Sequence, residues 1–210
     1  MGCDIHIYAE KKNKETGKWE KVGHKFVDVF YSEPIIKLLQ TWYKLSFNDA
    51  KVILKRYLNQ KEPRNKAERH IFKTLDMKIS NDPNFRWWDQ NSTGKYMNPK
   101  TDQPYSGRNY NLFGALAGVR SDFDMITDYA RGLPNDVSDE VCEISDSWDV
   151  DGHSHNYITL RELIDNIYYK MSDEELDELE LGTHFFRDVI NDLKEIGNPD
   201  DVRIVFCFDN

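Results

Sequence analysis

The sequence predicts an α+β domain, a small and mainly antiparallel sheet packed on helices with a helical insertion. Three features predict it: an alternating segment at the N-terminus, an apolar run at the C-terminus, and helical periodicity between them. In residues 3 to 10, apolar Cys3, Ile5, Ile7 and Ala9 alternate with Asp4, His6, Tyr8 and Glu10, the period of two of a strand with one face in a core. Lys14-Glu15-Thr16-Gly17 supplies a turn and Lys18 to Val22 returns, so residues 3 to 22 form a predicted hairpin. Val202-Arg203-Ile204-Val205-Phe206-Cys207-Phe208 is apolar enough for the middle of a sheet. Paired with residues 3 to 10, it would bring Asp209 and Asn210 to one end of the polar strand face.

Between these strands the periodicity is helical. Ile35, Ile36, Leu38, Leu39 and Trp42, then Val52, Ile53, Tyr57 and Leu58, then Ala67, Ile71 and Leu75 recur at helix spacing, with Pro34 and Pro63 where helix starts would place them. Ser80 to Gly107 is rich in Asn, Asp, Pro and Gly and reads as a loop around Phe85-Arg86-Trp87-Trp88. Residues 33 to 105 are therefore expected to be a helical lobe inserted into a single domain spanning 1 to 210. Residues 109 to 118 form a short helix of small residues. Thr159 caps a helix carrying Leu160, Leu163, Ile164, Ile167 and Tyr168 on one face. Ser172 with Glu175 is a capping-box pattern, and a last helix runs from Thr183 towards Gly197 with Phe186, Val189, Ile190 and Leu193 inward.

Composition narrows the class. At 210 residues, with 39% hydrophobic residues and 5 Trp, 11 Tyr and 11 Phe, the chain has the core material that disordered chains lack. No apolar run approaches the roughly 18 residues of a membrane span, and the N-terminus has no signal-peptide pattern. Met1-Gly2-Cys3 invites an acylation reading, but that pattern wants Ser or Thr where this chain has His6. Three widely spaced cysteines argue for a reducing compartment, so the cytoplasm is expected. Charge is segregated: residues 11 to 78 hold 17 Lys and Arg against 8 Asp and Glu, whereas residues 121 to 210 hold 6 against 24. A net charge of -9 disfavours non-specific DNA binding. The basic block reads as a solvated helical surface or as an attractor for a phosphate-bearing ligand.

Two segments could carry chemistry. On a strand, Asp4, His6, Tyr8 and Glu10 share a face at about 6.5 to 7 Å between successive residues, and Cys3 points away, which excludes a Cys3/His6 zinc pair on a regular strand. The second segment is Asp149-Val150-Asp151-Gly152-His153-Ser154-His155-Asn156, where an extended backbone would project Asp151, His153 and His155 to one side. Asp4, His6, Asp151, His153 and His155 are therefore the metal-ligand candidates for Zn, Mn or Fe, with Asp4, His6, His153 and His155 also the acid-base candidates. Arg108, Arg120 and Arg131, with Tyr110 beside the first, are the candidates for holding an anionic ligand. The structural alternatives are a His-x-His used as a hydrogen-bonding cap, an Asp4/His6 pair satisfied within the sheet, and Arg131 to Ser138 as a tight turn. His24, His70 and His184 read as structural, and the Trp87/Trp88 pair as packing rather than base stacking. No Walker loop, dinucleotide fingerprint, nucleophile elbow or His-Glu-x-x-His helix is present.

Several of these segments together resemble a family of small bacteriophage-encoded proteins: Met1-Gly2-Cys3-Asp4-Ile5-His6, Arg108-Asn109-Tyr110-Asn111-Leu112-Phe113 with Leu116-Ala117-Gly118-Val119-Arg120, Arg131-Gly132-Leu133-Pro134, His153-Ser154-His155, and the ending Phe206-Cys207-Phe208-Asp209-Asn210. The resemblance covers both ends and residues 108 to 160, and it departs at Asn156-Tyr157, where Ser-Trp is expected. It implies a phage protein acting in a bacterial host cytoplasm and brings no chemistry with it. The leading functional expectation is a metal-dependent hydrolase of a phosphate-bearing small molecule or nucleotide. The rivals are a non-catalytic counter-defence protein that sequesters a nucleotide, and an inhibitor that binds a host protein through the acidic half. Homo-oligomerisation is left open by the sequence.

Overall fold

The computed structural model describes residues 2–23, 26–27, 29–78, 87–88, 96–97 and 100–209. In chain order the elements are β1 (Asp4–Lys12), β2 (Trp19–Lys21), β3 (Phe26–Val27), α1 (Val29–Tyr43), α2 (Phe47–Leu58), α3 (Lys66–Lys78), β4 (Trp87–Trp88), β5 (Tyr96–Met97), β6 (Lys100–Thr101), α4 (Tyr110–Ala117), α5 (Asp139–Asp146), β7 (His153–Thr159), α6 (Leu160–Asp165), α7 (Ile167–Lys170), α8 (Asp173–Glu178), α9 (Ile190–Lys194) and β8 (Val202–Asp209). Short 3₁₀ turns occupy Asp149–Asp151 and Pro199–Asp201, and a π-helical turn spans Phe185–Val189. The chain divides into two compact units, residues 1–23 with 102–210, and residues 24–101. Among the described residues no helix is long and apolar enough to cross a membrane.

The first unit is built on a four-stranded antiparallel sheet in the order β2-β1-β8-β7. The hairpin forms as the alternation predicts. Its turn is closed by Asn13, whose side-chain oxygen accepts from the backbone N–H of Glu15 and Thr16, and by Gly17 at φ 70°. β8 pairs with β1 along its length, Asp4 opposite Asp209, His6 opposite Cys207 and Glu10 opposite Arg203. Being central, β8 is buried on both faces from Val202 to Phe208. One face carries Ile5, Ile7, Phe206 and Phe208 into an apolar core, where Phe113 of α4 meets Phe208 with ring centroids 5.0 Å apart. α4 packs closely because Gly114 leaves room: a Cβ there would lie 2.7 Å from the Ser121 carbonyl oxygen. The other face carries Asp4, His6, Tyr8 and Glu10 beside Cys207, Val205 and Arg203.

The expected capping box of Ser172 with Glu175 opens α8, and Thr159 caps α6 as expected, there forming a second capping box with Glu162. The long helix expected after Thr159 is interrupted, however. Asn166 adopts an extended backbone and caps α7 through the Tyr168 N–H, which turns Ile167 outward to 63% exposure instead of into the core.

The second unit has its own apolar cluster, with Ile36, Leu39, Leu54, Leu58 and Leu75 at its centre. Its helices α1 to α3 fall on the expected segments with Ile36, Leu39, Leu58 and Leu75 inward, whereas Trp42, Val52 and Ala67 of the expected pattern are exposed. Pro34 lies inside α1 rather than at its start, and Pro63 precedes α3 by three residues. Within the expected 80–107 loop, backbone pairing joins β4 to β5, and β6 of that stretch pairs with β3, which precedes α1. His24, Ser80, Phe85, Arg86 and Asn210, about which the sequence raised expectations, lie outside the described residues.

Candidate functional site

The site begins with the strand period. Asp4 and His6 stand on one face of β1, and the antiparallel register sets Asp209 of β8 opposite Asp4 and diagonal to His6. One carboxylate oxygen of Asp209 accepts from the Asp4 backbone N–H at 2.9 Å, and the other lies 3.2 Å from His6 Nε2. That second approach lacks the angles of a hydrogen bond, so the buried Nε2 has no hydrogen-bond partner. The indole of Trp148 stacks on the imidazole, centroids 3.8 Å apart and planes 26° from parallel.

Trp148 reaches His6 because the segment 136 to 151 is tied across this face of the sheet. Glu10, fully buried, accepts from the Ser138 backbone N–H at 2.7 Å and from Arg203 Nε at 2.7 Å. Arg203 in turn donates to the side chain and carbonyl of Asp136 at 2.7 and 3.1 Å, and Trp19 Nε1 donates to the same carboxylate at 2.9 Å. Burial alone would raise the Asp136 carboxyl, but the Arg203 and Trp19 contacts outweigh it and hold the group below the ordinary carboxylate range. Ser138 then caps α5, and the chain passes through Trp148 into the 3₁₀ turn at Asp149. Gly152 permits the close approach, since a Cβ there would lie 2.8 Å from the Trp148 Cβ.

β7 completes the site through an irregularity. The register slips between His153 and Asn156, and Ser154 has φ 50°. A regular strand would project His153 and His155 together. The bulge instead sets His153 opposite Phe208, on the Ile5 face, with rings 6.1 Å apart, while His155 lines a pocket with His6. His153 Nδ1 contacts Ser154 Oγ at 3.0 Å, and its buried Nε2 has no hydrogen-bond partner. Burial lowers the His155 imidazole below its ordinary pKa, with repulsion from His153 adding to the effect and Asp146 opposing it. His155 is therefore neutral at pH 7.

The pocket is a narrow slot of about 10 Å³, room for one water, between His6, Tyr8, Trp148 and His155, with Val141, Ile144 and Cys207 among its apolar walls. Through Leu133, Ser145 and His155 it adjoins an open groove of about 500 Å³, whose wall includes Gly132, Asp146 and Asp149. Burial, with the Asp209 charge adding, pushes the Cys207 thiol up to about 11, which keeps it protonated and unsuited to nucleophilic attack.

The other expected residues are placed elsewhere. Arg108 grips Asp4 with two hydrogen bonds of 2.7 and 2.5 Å, which lowers the Asp4 pKa, and Arg131 grips Glu162 likewise at 3.2 and 2.5 Å. Arg120 is exposed on left-handed backbone at φ 66°, and Tyr110 is 38% exposed with its ring against Phe113. Asp151 is exposed on the 3₁₀ turn. Among the described residues no group of three or more His, Cys, Asp or Glu side chains is arranged to hold a metal ion, so Asp4, His6, Asp151, His153 and His155 do not form one ligand set. Sequence reasoning placed Asp209 at this end of the polar strand face, as the register bears out, and missed Trp148 and the steric part played by Gly152. Trp148 lies just outside the polar run and had no periodicity to mark it.

Comparison of the chain with models of known protein families, with curated proteins and with solved structures gave no match.

Proposed function

We propose that the end of the sheet at His6 is an acid-base catalytic site of the hydrolase type. The observation that carries it is the His6 imidazole clamped between the Trp148 face and the Asp209 carboxylate, at the wall of a slot that shares Leu133, Ser145 and His155 with a neighbouring groove. In this reading His6 takes a proton from the attacking water. The imidazolium so formed is stabilised by the Asp209 carboxylate, 3.2 Å from Nε2, as the orienting carboxylate of a nucleophile-base pair does. His155, neutral at pH 7, is the second proton-transfer group on the slot.

Two parts of the sequence-based expectation gain less support. Metal-ligand convergence is missing among the described residues, and Arg108 and Arg131, expected to grip a phosphate, are each engaged by a carboxylate. In the phage setting that the resemblance implies, the reaction would run in the host cell.

Turnover of ester, amide and phosphoester substrates, with and without added Mn²⁺ or Zn²⁺, tests the reading. His6→Gln is expected to lower kcat by about 10²- to 10⁴-fold, the usual worth of a positioned acid-base group. Full activity in both His6→Gln and Asp209→Asn sinks it. A ligand that binds and is recovered unaltered would favour the sequestering protein instead.

A further inference from the structure

We infer that residues 145–152 form a lid, shut in this structure with Trp148 as its plug, which swings outward to admit a substrate to His6. The inference rests on the reading of His6 as the acid-base group and adds how that site is gated. The two neighbouring cavities differ in size. The slot against His6 holds about 10 Å³, one water, whereas the groove beside it holds about 500 Å³, in the range of small-molecule pockets. A substrate fits the groove and reaches His6 only if a wall of the slot moves.

The walls differ in how they are held. Tyr8, Val205, Phe206 and Cys207 belong to β1 and β8, the two central strands of the sheet. Leu133 and His155 are tied to one another's segments, since the Gly132 N–H donates to the His155 carbonyl at 3.1 Å and the Arg131 N–H to the fully buried Asn156 side chain at 3.0 Å. Val141 is buried in the first turn of α5, beside the Ser138 N–H that Glu10 holds. Ile144, Ser145 and Trp148 remain. From Ser147 to Gly152 the N–H groups of Ser147, Trp148, Asp151 and Gly152 donate to carbonyls of residues 143 to 148, and the Ser147 hydroxyl to that of Ile144. Among the described residues none of these bonds reaches the sheet. The Trp148 ring, 3.8 Å from His6 between centroids, fastens the segment there, and one ring stack is weak beside a strand ladder. Asp149 is held in left-handed backbone at φ 45°, strain that opening would release, and Val150, 88% exposed, adds no apolar anchor. Ser145 walls both cavities, with Asp146 and Asp149 on the groove side, so outward movement of the segment merges slot and groove into one cleft ending at His6. Segments with few buried contacts and only local bonds are the ones that open independently of the rest, and such lids shield a reacting group from bulk water.

Amide hydrogen exchange by NMR and carbethoxylation of His6 by mass spectrometry, both on the full chain across sub-denaturing urea, test the inference. Local opening exposes little surface and responds weakly to urea, whereas global unfolding responds steeply. In the unaltered protein, exchange at Trp148, Asp151 and Gly152 and modification of His6 are expected to share the weak urea dependence, although the reagent is larger than the slot. Trp148→Ala, its fold checked by its melting curve, should raise the rate of His6 modification by about tenfold or more. Modification of His6 that follows urea as steeply as exchange at Ile204 to Phe208 overturns the lid, and so does modification as fast in the unaltered protein as in Trp148→Ala. Should that variant fail to fold, the urea series on the unaltered chain decides alone. Local opening without any His6-dependent turnover would overturn the catalytic reading and leave the lid standing. Turnover that depends on His6, in a chain whose Trp148 segment opens only together with β8, would do the reverse.

Discussion

Glu10 and Arg203 are 193 positions apart and meet at 2.7 Å with 0% and 3% of their side chains exposed. A buried pair is tolerable only when its remaining hydrogen-bonding capacity is used, and here it is: Ser138 N–H takes the second oxygen of Glu10, Asp136 takes the far end of the guanidinium, and the Trp19 ring lies 4.1 Å beneath it. Removing one partner strands the other, so Glu10→Ala should destabilise the protein by about 3 to 5 kcal/mol in urea titration. A change under about 1 kcal/mol would contradict the network. Asp136 gives the pH signature. Its folded pKa is depressed, so its contribution is complete above the unfolded value near 3.9 and is lost as pH falls below it. Acid unfolding below about pH 4 should therefore become shallower in Asp136→Asn. At Gly152 the constraint is steric: Gly152→Ala should push Trp148 off His6, read as faster carbethoxylation of His6 and a changed near-ultraviolet dichroism of tryptophan. Unchanged values of both would show that the backbone absorbs the methyl group elsewhere.

At the scale of elements, the cap of α6 does two tasks. Thr159 Oγ1 accepts from the Glu162 N–H, and the Glu162 carboxylate accepts from the Thr159 N–H while also holding Arg131, the residue before the Gly132 turn that hydrogen-bonds to the His155 carbonyl. Thr159→Ala should cost about 1 kcal/mol, the ordinary worth of such a cap, whereas Glu162→Ala should cost more because it frees Arg131 as well. Equal losses in thermal unfolding would mean that the Arg131 contact contributes nothing. Local signals of this kind were legible in the sequence: the alternation of β1, the apolar β8, the Thr159 cap, the Ser172/Glu175 capping box and the small residues of α4 each act within a few residues. The β7 bulge was not legible, since nothing in His153-Ser154-His155 announces left-handed backbone at Ser154. Period-two reasoning therefore joined two histidines that the fold assigns to different faces, and it left His155, rather than His153, to share the slot with His6. Trp148 and Glu10 were illegible for a different reason. Their roles are set by partners more than a hundred positions away, and such pairing leaves no trace in local spacing.

For the whole molecule, the chain leaves the first unit and re-enters it at one place. Gly23 and Asp102 are neighbours, a Cβ on Gly23 falling 3.6 Å from the Asp102 carboxylate, and Lys21 holds that carboxylate at 2.7 Å. The sheet β2-β1-β8-β7 uses strands of the first unit, and Phe113, Phe206 and Phe208 of its apolar core belong to that unit too. Replacing 24–101 by a short Gly/Ser linker should thus leave a cooperatively folding unit, because such a joint adds only a small loop-closure cost. Its charge makes the test sharper. Residues 24–101 hold 15 Lys and Arg against 8 Asp and Glu, while the remainder holds 13 against 29. The shortened chain loses its basic counterpart and must contain its own repulsion, so its melting temperature should climb as salt rises from about 0.02 to 0.2 M, where screening shortens to under about 10 Å. A shortened chain that stays unfolded at the higher salt would mean that the first unit needs the helical segment in order to fold.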